Sequence, residues 1–415
     1  MAANLPGPVF PMNPAQDKVA SDRLRINLAI AWVLTLLATG FAYWPALQGA
    51  FVLDDFGVLD SLGDLGGVRG WDTFRAFVLG GDAGPTGRPL AMLSFLVDAN
   101  NWPADAWAFK RTNLIIHLAN GLLLGVLTRQ ILVRVGFDSR RAAWLAFFSV
   151  AAWMLHPFLV STTMYVVQRM TQLAMLCTTA GMVTYLYGRS MLPANKAKGY
   201  TVMTVGLTGF AVLGALCKES GALLPMLVLV LEFTILSAPG ASAERIDKRW
   251  SGLFLVLPSV LVVAYLAQSF LRADIFEIAP AREFSLYERL LTQPRVVATN
   301  LQHWFIPKLY TTGVFQDHIV KSAGLLTPVT TLVAALFHLG VIALAVVKRR
   351  QLPVLAFAIL FFYAYHLLES TVLNLELYFE HRNYLPAAFL FLPLIVLVDA
   401  RVDWKKGFMA AALVL

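Results

Sequence analysis

The chain has 415 residues, 58% of them hydrophobic and 14% charged, with a mean hydropathy of +0.66 and a formal net charge of +8. Soluble domains carry about a quarter charged residues, so this composition excludes an ordinary soluble fold and points to a bilayer. The two cysteines, Cys177 and Cys217, both fall within apolar runs. They form neither a metal-binding spacing nor a recognisable disulfide framework, and read as buried small apolar residues.

A helix that spans a bilayer needs roughly 20 predominantly apolar residues. Residues 1–26 read as a cytoplasmic N-terminal segment and residues 27–415 as one transmembrane domain. Apolar runs at 27–47, 112–133, 141–156, 168–188, 200–217, 220–237, 252–270, 329–347, 354–375, 384–398 and 407–415 predict about eleven transmembrane helices. The first run is not expected to be a cleaved signal, because the stretch before it is long and carries acids as well as bases, and further spans follow. The last run stops while still apolar, so the chain is expected to end inside an eleventh helix or to be a fragment, with no soluble C-terminal domain.

Orientation follows from lysine and arginine in the loops. Alternate loops, counted from the N-terminus, hold 19 of the 33 bases and 8 of the 25 acids; the opposite set holds the other 14 and 17. The positive charge is therefore an anchoring signal and not a nucleic-acid footprint. It puts the N-terminus in the cytoplasm and the two long loops, 48–111 and 271–328, outside. Both loops read as amphipathic helices lying at the interface. In the first, Trp71, Phe74, Phe77 and Val78 recur at helical spacing. In the second, Tyr287, Leu290, Leu291, Val297, Leu301, Trp304 and Phe305 do so, with Arg289, Arg295 and Lys308 on other faces. The expected fold class is an all-α polytopic membrane protein with these two outer loops.

That topology sends the unusual polar residues to one side. Asp54 and Asp55 follow the first helix, and Arg88 lies in the first loop. His117 sits early in the second helix, His156 closes the third and Gln168-Arg169 opens the fourth. Lys218-Glu219 joins the fifth and sixth. His366 and Glu369 occupy the outer half of the ninth, followed by Glu376 and Glu380-His381-Arg382. Ionisable groups near the hydrocarbon are costly and usually face a bundle interior or an aqueous cavity, so their convergence predicts one external site. Plainer readings stand beside it. The Asp pair also suits a helix N-cap, His117 and His156 also suit core histidines bonded to backbone, and Lys218-Glu219 also suits an ion pair closing a hairpin. No His/Asp/Glu cluster has zinc-like spacing, and no nucleotide-binding or serine-nucleophile fingerprint is present.

Short motifs recur in order from about residue 50 to 386: Phe51-Val52-Leu53-Asp54-Asp55, Gly87-Arg88-Pro89-Leu90, Asn113 to His117, His156-Pro157, Val167-Gln168-Arg169, Cys217-Lys218-Glu219, Thr292 to Val297, Glu369-Ser370, and Tyr378 to Leu385. Together they resemble the GT-C class of polytopic glycosyltransferases. The likeness is to the O-mannosyltransferase group that carries tetratricopeptide repeats, and to bacterial pilin arabinofuranosyltransferases, which have a similar layout; the motifs do not separate these branches. No repeat domain follows here.

The resemblance implies a bacterial inner-membrane enzyme with its site on the periplasmic side. Its donor would be a polyprenyl-phosphate sugar, and its acceptor a hydroxyl on a protein, such as pilin, or on a glycan. It implies inversion at the anomeric carbon, with Asp54 and Asp55 matching the acidic pair of the first outer loop. Arg295, Arg382, Arg88, Arg169 and Lys218 are the candidate phosphate ligands, with Arg295 and Arg382 first, since cations must meet the departing phosphate's charge. His117, His156, Gln168, Glu219, His366, Glu369, Glu380 and His381 are expected to line the site or touch the acceptor. No cofactor is implied, and a divalent metal is left open. Rival readings are an O-antigen or lipid A glycan transferase or polymerase, and a secondary transporter, which would call for broken helices at the midplane and inverted internal similarity.

Overall fold

The computed structural model describes residues 14–81, 83–240, 244–278, 282–307 and 319–401. Across them the chain is 75% helix with no strand. In chain order the main helices are α1 (Pro14–Tyr43), α2 (Asp54–Leu59), α3 (Trp71–Gly80), α4 (Pro89–Phe95), α5 (Ala106–Arg134), α6 (Ser139–Met154), α7 (Arg169–Met191), α8 (Lys196–Cys217), α9 (Leu224–Thr234), α10 (Lys248–Arg272), α11 (Leu286–Phe305), α12 (Thr330–Lys348), α13 (Pro353–Glu369) and α14 (Leu392–Arg401).

Polar caps start many of them. Asp105, Asp138, Asn195 and Asp247 each accept a backbone N–H from the first turn they precede, and Ser285 with Glu288 forms a capping box on α11. Such contacts satisfy amide groups that a helix start leaves orphaned.

Five helices are long and apolar enough to cross a membrane: α5, α8, α10, α12 and the stretch Arg25–Gln48. A sixth counts if α6 is taken with Pro157–Met164, from which it is bent by 58° at His156-Pro157. Of the other apolar runs, α7 is an unbroken helix of 23 residues and α13 one of 17, and two break up. The run at 220–237 opens with a 3₁₀ turn at Glu219–Leu223, leaving α9 with 11 residues. The run at 384–398 spends its start on a turn at Pro386–Phe389 and leaves α14 with 10. These pieces hold their apolar side chains inside protein: Phe357, Phe361, Phe389 and Leu227 join Trp153 and Trp304 in the main core. The eleventh run and Lys308 lie outside the described residues.

The first long loop builds a second core of its own. Leu59, Phe77, Met92 and Phe95 pack on Phe109 of α5 and on Val166 and Val167. The second loop's α11 departs from its expected orientation. Its inward face carries Leu286, Arg289, Gln293, Val296, Val297, Asn300 and Trp304, whereas Tyr287 and Phe305 are exposed. Arg289 thus lies on the buried face and not on an outer polar one.

Helices α7 and α8 form the most extensively packed pair. At the end of α8 the chain doubles back so closely that a Cβ on Gly221 would sit 2.1 Å from the Gly214 carbonyl carbon. Only glycine fits this approach, and it is what sets Lys218 and Glu219 at the bundle's end.

Candidate functional site

The Asp pair divides its labour. Both residues fall in the first turn of α2, but Leu53 is the cap and neither side chain caps. Asp55 is fully buried, and its carboxylate accepts the Val52 N–H at 3.0 Å and the Val167 N–H at 2.8 Å. Burial pushes its carboxyl up to about 6, against the pull of those amides and of Lys110. It therefore fastens the first loop to the segment before α7. Asp54 is exposed. Its N–H is accepted by the Tyr165 hydroxyl at 3.0 Å. Of the two, Asp54 is the carboxylate that an incoming molecule can reach.

A cationic cluster forms from four separate parts of the chain. Arg88 holds Glu219 through Nε and Nη2, the shortest contact being 2.8 Å, and Thr86 donates to the same carboxylate at 2.9 Å. Lys218 Nζ lies 2.8 Å from Glu369 and donates to Thr171 Oγ1 at 3.1 Å. Arg382 Nε lies 3.7 Å from the other oxygen of Glu369. Burial and the charges of Lys218, Arg382 and Arg88 push the His381 ring well below its ordinary value, so it stands neutral, stacked 4.9 Å from Phe379. Burial pushes Glu219 up, but the Arg88 pairing outweighs it and holds the carboxyl below its usual range.

The segment between residues 165 and 171 ties the acid to the cations. Tyr165 touches Asp54, Val167 holds Asp55, Met170 Sδ lies 3.1 Å from Arg88 Nη1, and Thr171 meets Lys218. Gln168, buried in the same stretch, accepts from Thr171 Oγ1 at 2.8 Å. The non-glycine residues with positive φ in the described chain are Leu53 (φ 44) and Arg88 (φ 47). One is beside Asp54 and the other is the cluster's own arginine, as expected where surrounding structure imposes backbone strain at a site.

Sequence reasoning missed Arg289 as a site builder. It is fully buried and donates to the carbonyls of Glu369 (2.7 Å), Thr371 and Leu375 (2.7 Å). One turn on, Gln293 donates to Leu377 O at 2.8 Å. Arg382 closes the same segment by donating to Glu376 O at 2.5 Å. Together these strap residues 369–377 in place and with them Glu369.

Several other candidates have partners outside the cluster. Arg169 is 0% exposed and spends its N–H groups on Asn113, Ser94 O, Asp98 and Phe109 O, so it is a core tie and not a phosphate ligand. Arg295 donates through Nη1 to Val320 O and Ser322 Oγ on the face of α11 away from Gln293 and Arg289, and among the described residues shares no hydrogen-bond partner with Arg88, Lys218 or Arg382. His117 bonds Tyr384 Oη (2.7 Å) and Met154 O (3.1 Å), and His156 bonds Trp304 O (3.0 Å) while accepting the Phe158 N–H. Both are core histidines. His366 bonds Ser370 Oγ at 2.9 Å and packs on Phe362. Glu380 is buried in the turn Glu380–Asn383. Among the described residues no group of three His, Cys, Asp or Glu is placed to hold a metal ion.

Beside the cluster an open apolar groove of about 600 Å³ runs between α3, α4, α7 and α8, lined by Phe74, Leu90, Leu93, Leu173, Cys177 and Cys217. Leu90 is two residues from Arg88, and Cys217 adjoins Lys218. Two of the lining residues are thus close in the chain to Arg88 and Lys218. No protein-family model, curated protein or solved structure matches this chain.

Proposed function

We propose that this protein is a membrane glycosyltransferase that moves a sugar from a polyprenyl-phosphate donor to a hydroxyl of a protein, pilin included, or of a glycan. The observation that carries the reading is the stretch from Tyr165 to Thr171, which holds an exposed carboxylate, Asp54, at the same end as Arg88, Lys218 and Arg382. The apolar groove beside those cations suits the chain of a lipid whose phosphate they would receive.

In this mechanism the acceptor oxygen attacks the anomeric carbon as the bond to the phosphate oxygen breaks, with inversion. Asp54 takes the hydroxyl proton, since a hydroxyl is a weak nucleophile without a base. The electron pair leaves on the lipid phosphate, where Arg88, Lys218 and Arg382 meet the new charge and neutral His381 donates a hydrogen bond. Asp55, Arg169 and Arg289 hold the frame. The finer topology belongs to the same proposal: about eleven spans, a cytoplasmic N-terminus, and loops 48–111 and 271–328 on the periplasmic side of a bacterial inner membrane.

Purified protein mixed with a polyprenyl-phosphate sugar and candidate acceptors tests the reading. Sugar transfer or slow donor hydrolysis is expected, and Asp54→Asn is expected to abolish it while the protein still folds. Full turnover in that variant would remove Asp54 as the base; no turnover by the native protein with any polyprenyl-phosphate sugar would count against the class.

A further inference from the structure

We infer that Cys177 and Cys217 form a reversible dithiol–disulfide pair in the wall of the apolar groove. They are the chain's two cysteines, set on different helices, and they read from sequence as unrelated small apolar residues. The fold sets both in the wall of one groove, with the two thiols close enough to interact. The helix pairing explains how. A Cβ at Gly214 of α8 would lie 3.4 Å from the Cys177 Cβ of α7, so the α8 backbone sits directly on that cysteine. Cys217 follows Gly214 by three residues and so shares its helix face.

The two thiols differ in access. Cys177 is partly exposed and Cys217 is buried, although both line the groove. That is the arrangement of an attacking and a resolving thiol. With an external disulfide as oxidant, the Cys177 sulfur attacks one sulfur of the reagent and expels the first thiolate, leaving a mixed disulfide on Cys177. The Cys217 sulfur then attacks the Cys177 sulfur and expels the second thiolate. Two protons leave the cysteines and end on the two released thiols. The protein loses two electrons, and the reagent gains them.

Position gives the pair its reach. Cys217 precedes Lys218, whose ammonium holds Glu369 and Thr171. A bond from Cys217 to α7 therefore ties down the end of α8 next to the cationic cluster. The inference needs no assumption about sugar transfer, so it stands or falls separately from the transferase reading.

The test uses the full chain, reduced and placed in lipid nanodiscs, with dithiodipyridine as a small apolar disulfide that can enter the groove. Thiopyridone release and intact mass are followed together. Native protein is expected to release two thiopyridones per chain and to carry no adduct, with dithiothreitol restoring both thiols. Cys217→Ala is expected to release one and to keep one pyridylthio group on Cys177. Two stable adducts on the native protein would overturn the inference, as would failure of either thiol to react.

Discussion

Asp55 offers a test in which the sign of the pH dependence is fixed by the structure. Its folded carboxyl stands at about 6 against an ordinary value of 3.8, so the folded state binds the proton more tightly than the unfolded state. Its contribution to stability is then fully present below about 3.8 and lost as pH rises through 6. The difference of roughly 2.2 units, at about 1.36 kcal/mol each, means that ionised Asp55 costs about 3 kcal/mol at neutral pH. About half of this is recovered by pH 5. Asp55→Asn removes that titration. It also turns an N–H-bearing amide toward two backbone donors, Val52 and Val167, leaving one unpaired at about 1–3 kcal/mol. The two terms roughly cancel at pH 7. On acidification the native protein should gain on the variant by about 1 kcal/mol between pH 7 and 5. Chemical denaturation in detergent, followed by tryptophan fluorescence at several pH values, measures the gap. A gap that stays constant with pH would refute the burial argument and return Asp55 to the chemical site.

Arg169→Gln should behave as a stability mutant, costing about 3 kcal/mol by taking from buried Asp98 its nearest cation and leaving it Thr112 and a more distant Arg111, seen as poor yield and a low thermal midpoint; a well-folded variant that fails only in donor binding would reinstate it as a phosphate ligand. Glu219→Gln frees Arg88, and on the transferase reading should tighten binding of a polyprenyl-phosphate about tenfold, or 1.4 kcal/mol, by lipid titration; weaker binding would make Glu219 a ligand-holding residue in its own right. Single cysteines at Gly80 and Asp274, both exposed, in a chain lacking Cys177 and Cys217, should label with an impermeant thiol reagent in outer-membrane-permeabilised cells. Labelling only after inner-membrane lysis would reverse the orientation.

Much of the fold was legible because hydrophobic runs are a one-dimensional signal. Helices sit on all ten apolar runs that fall in described residues. Of the unusual polar residues, Arg88 pairs with Glu219 and both Lys218 and Arg382 with Glu369, whereas His117, His156, Arg169 and Arg295 are held by other partners. Span count was less legible. A run such as 220–237 is apolar whether it faces lipid or protein, and composition alone does not show that Gly221 must press against Gly214 and spend the first turn on a 3₁₀ coil. The division within the Asp pair was also hidden. Adjacent residues at a helix start point about 100° apart, and only the distant Val167 amide determines which one is buried. The arginines misled for the same reason. Arg169, Arg289 and Arg295 look alike in sequence, yet the first two meet carbonyls and a carboxylate inside the protein, and the third meets Val320 and Ser322 on another face.

The cluster's charges explain why such a site can exist before a ligand arrives. Buried cations without counter-charges would be prohibitively costly, and here each has one: Arg88 has Glu219, while Lys218 and Arg382 share Glu369. The two carboxylates are not equivalent. The Glu369 side chain is 6% exposed, its residue's carbonyl is held by Arg289, and it bridges two cations. Glu219 is 27% exposed, faces an arginine that is 21% exposed, and is backed by Thr86 from the first loop. On the transferase reading, exchange of a carboxylate for a lipid phosphate would therefore cost least at Arg88, where water already reaches both partners. Glu369 has the opposite task. By staying in place it keeps Lys218 and Arg382 aligned, so that on the transferase reading the charge developing on a departing phosphate would meet dipoles and cations that need not reorganise.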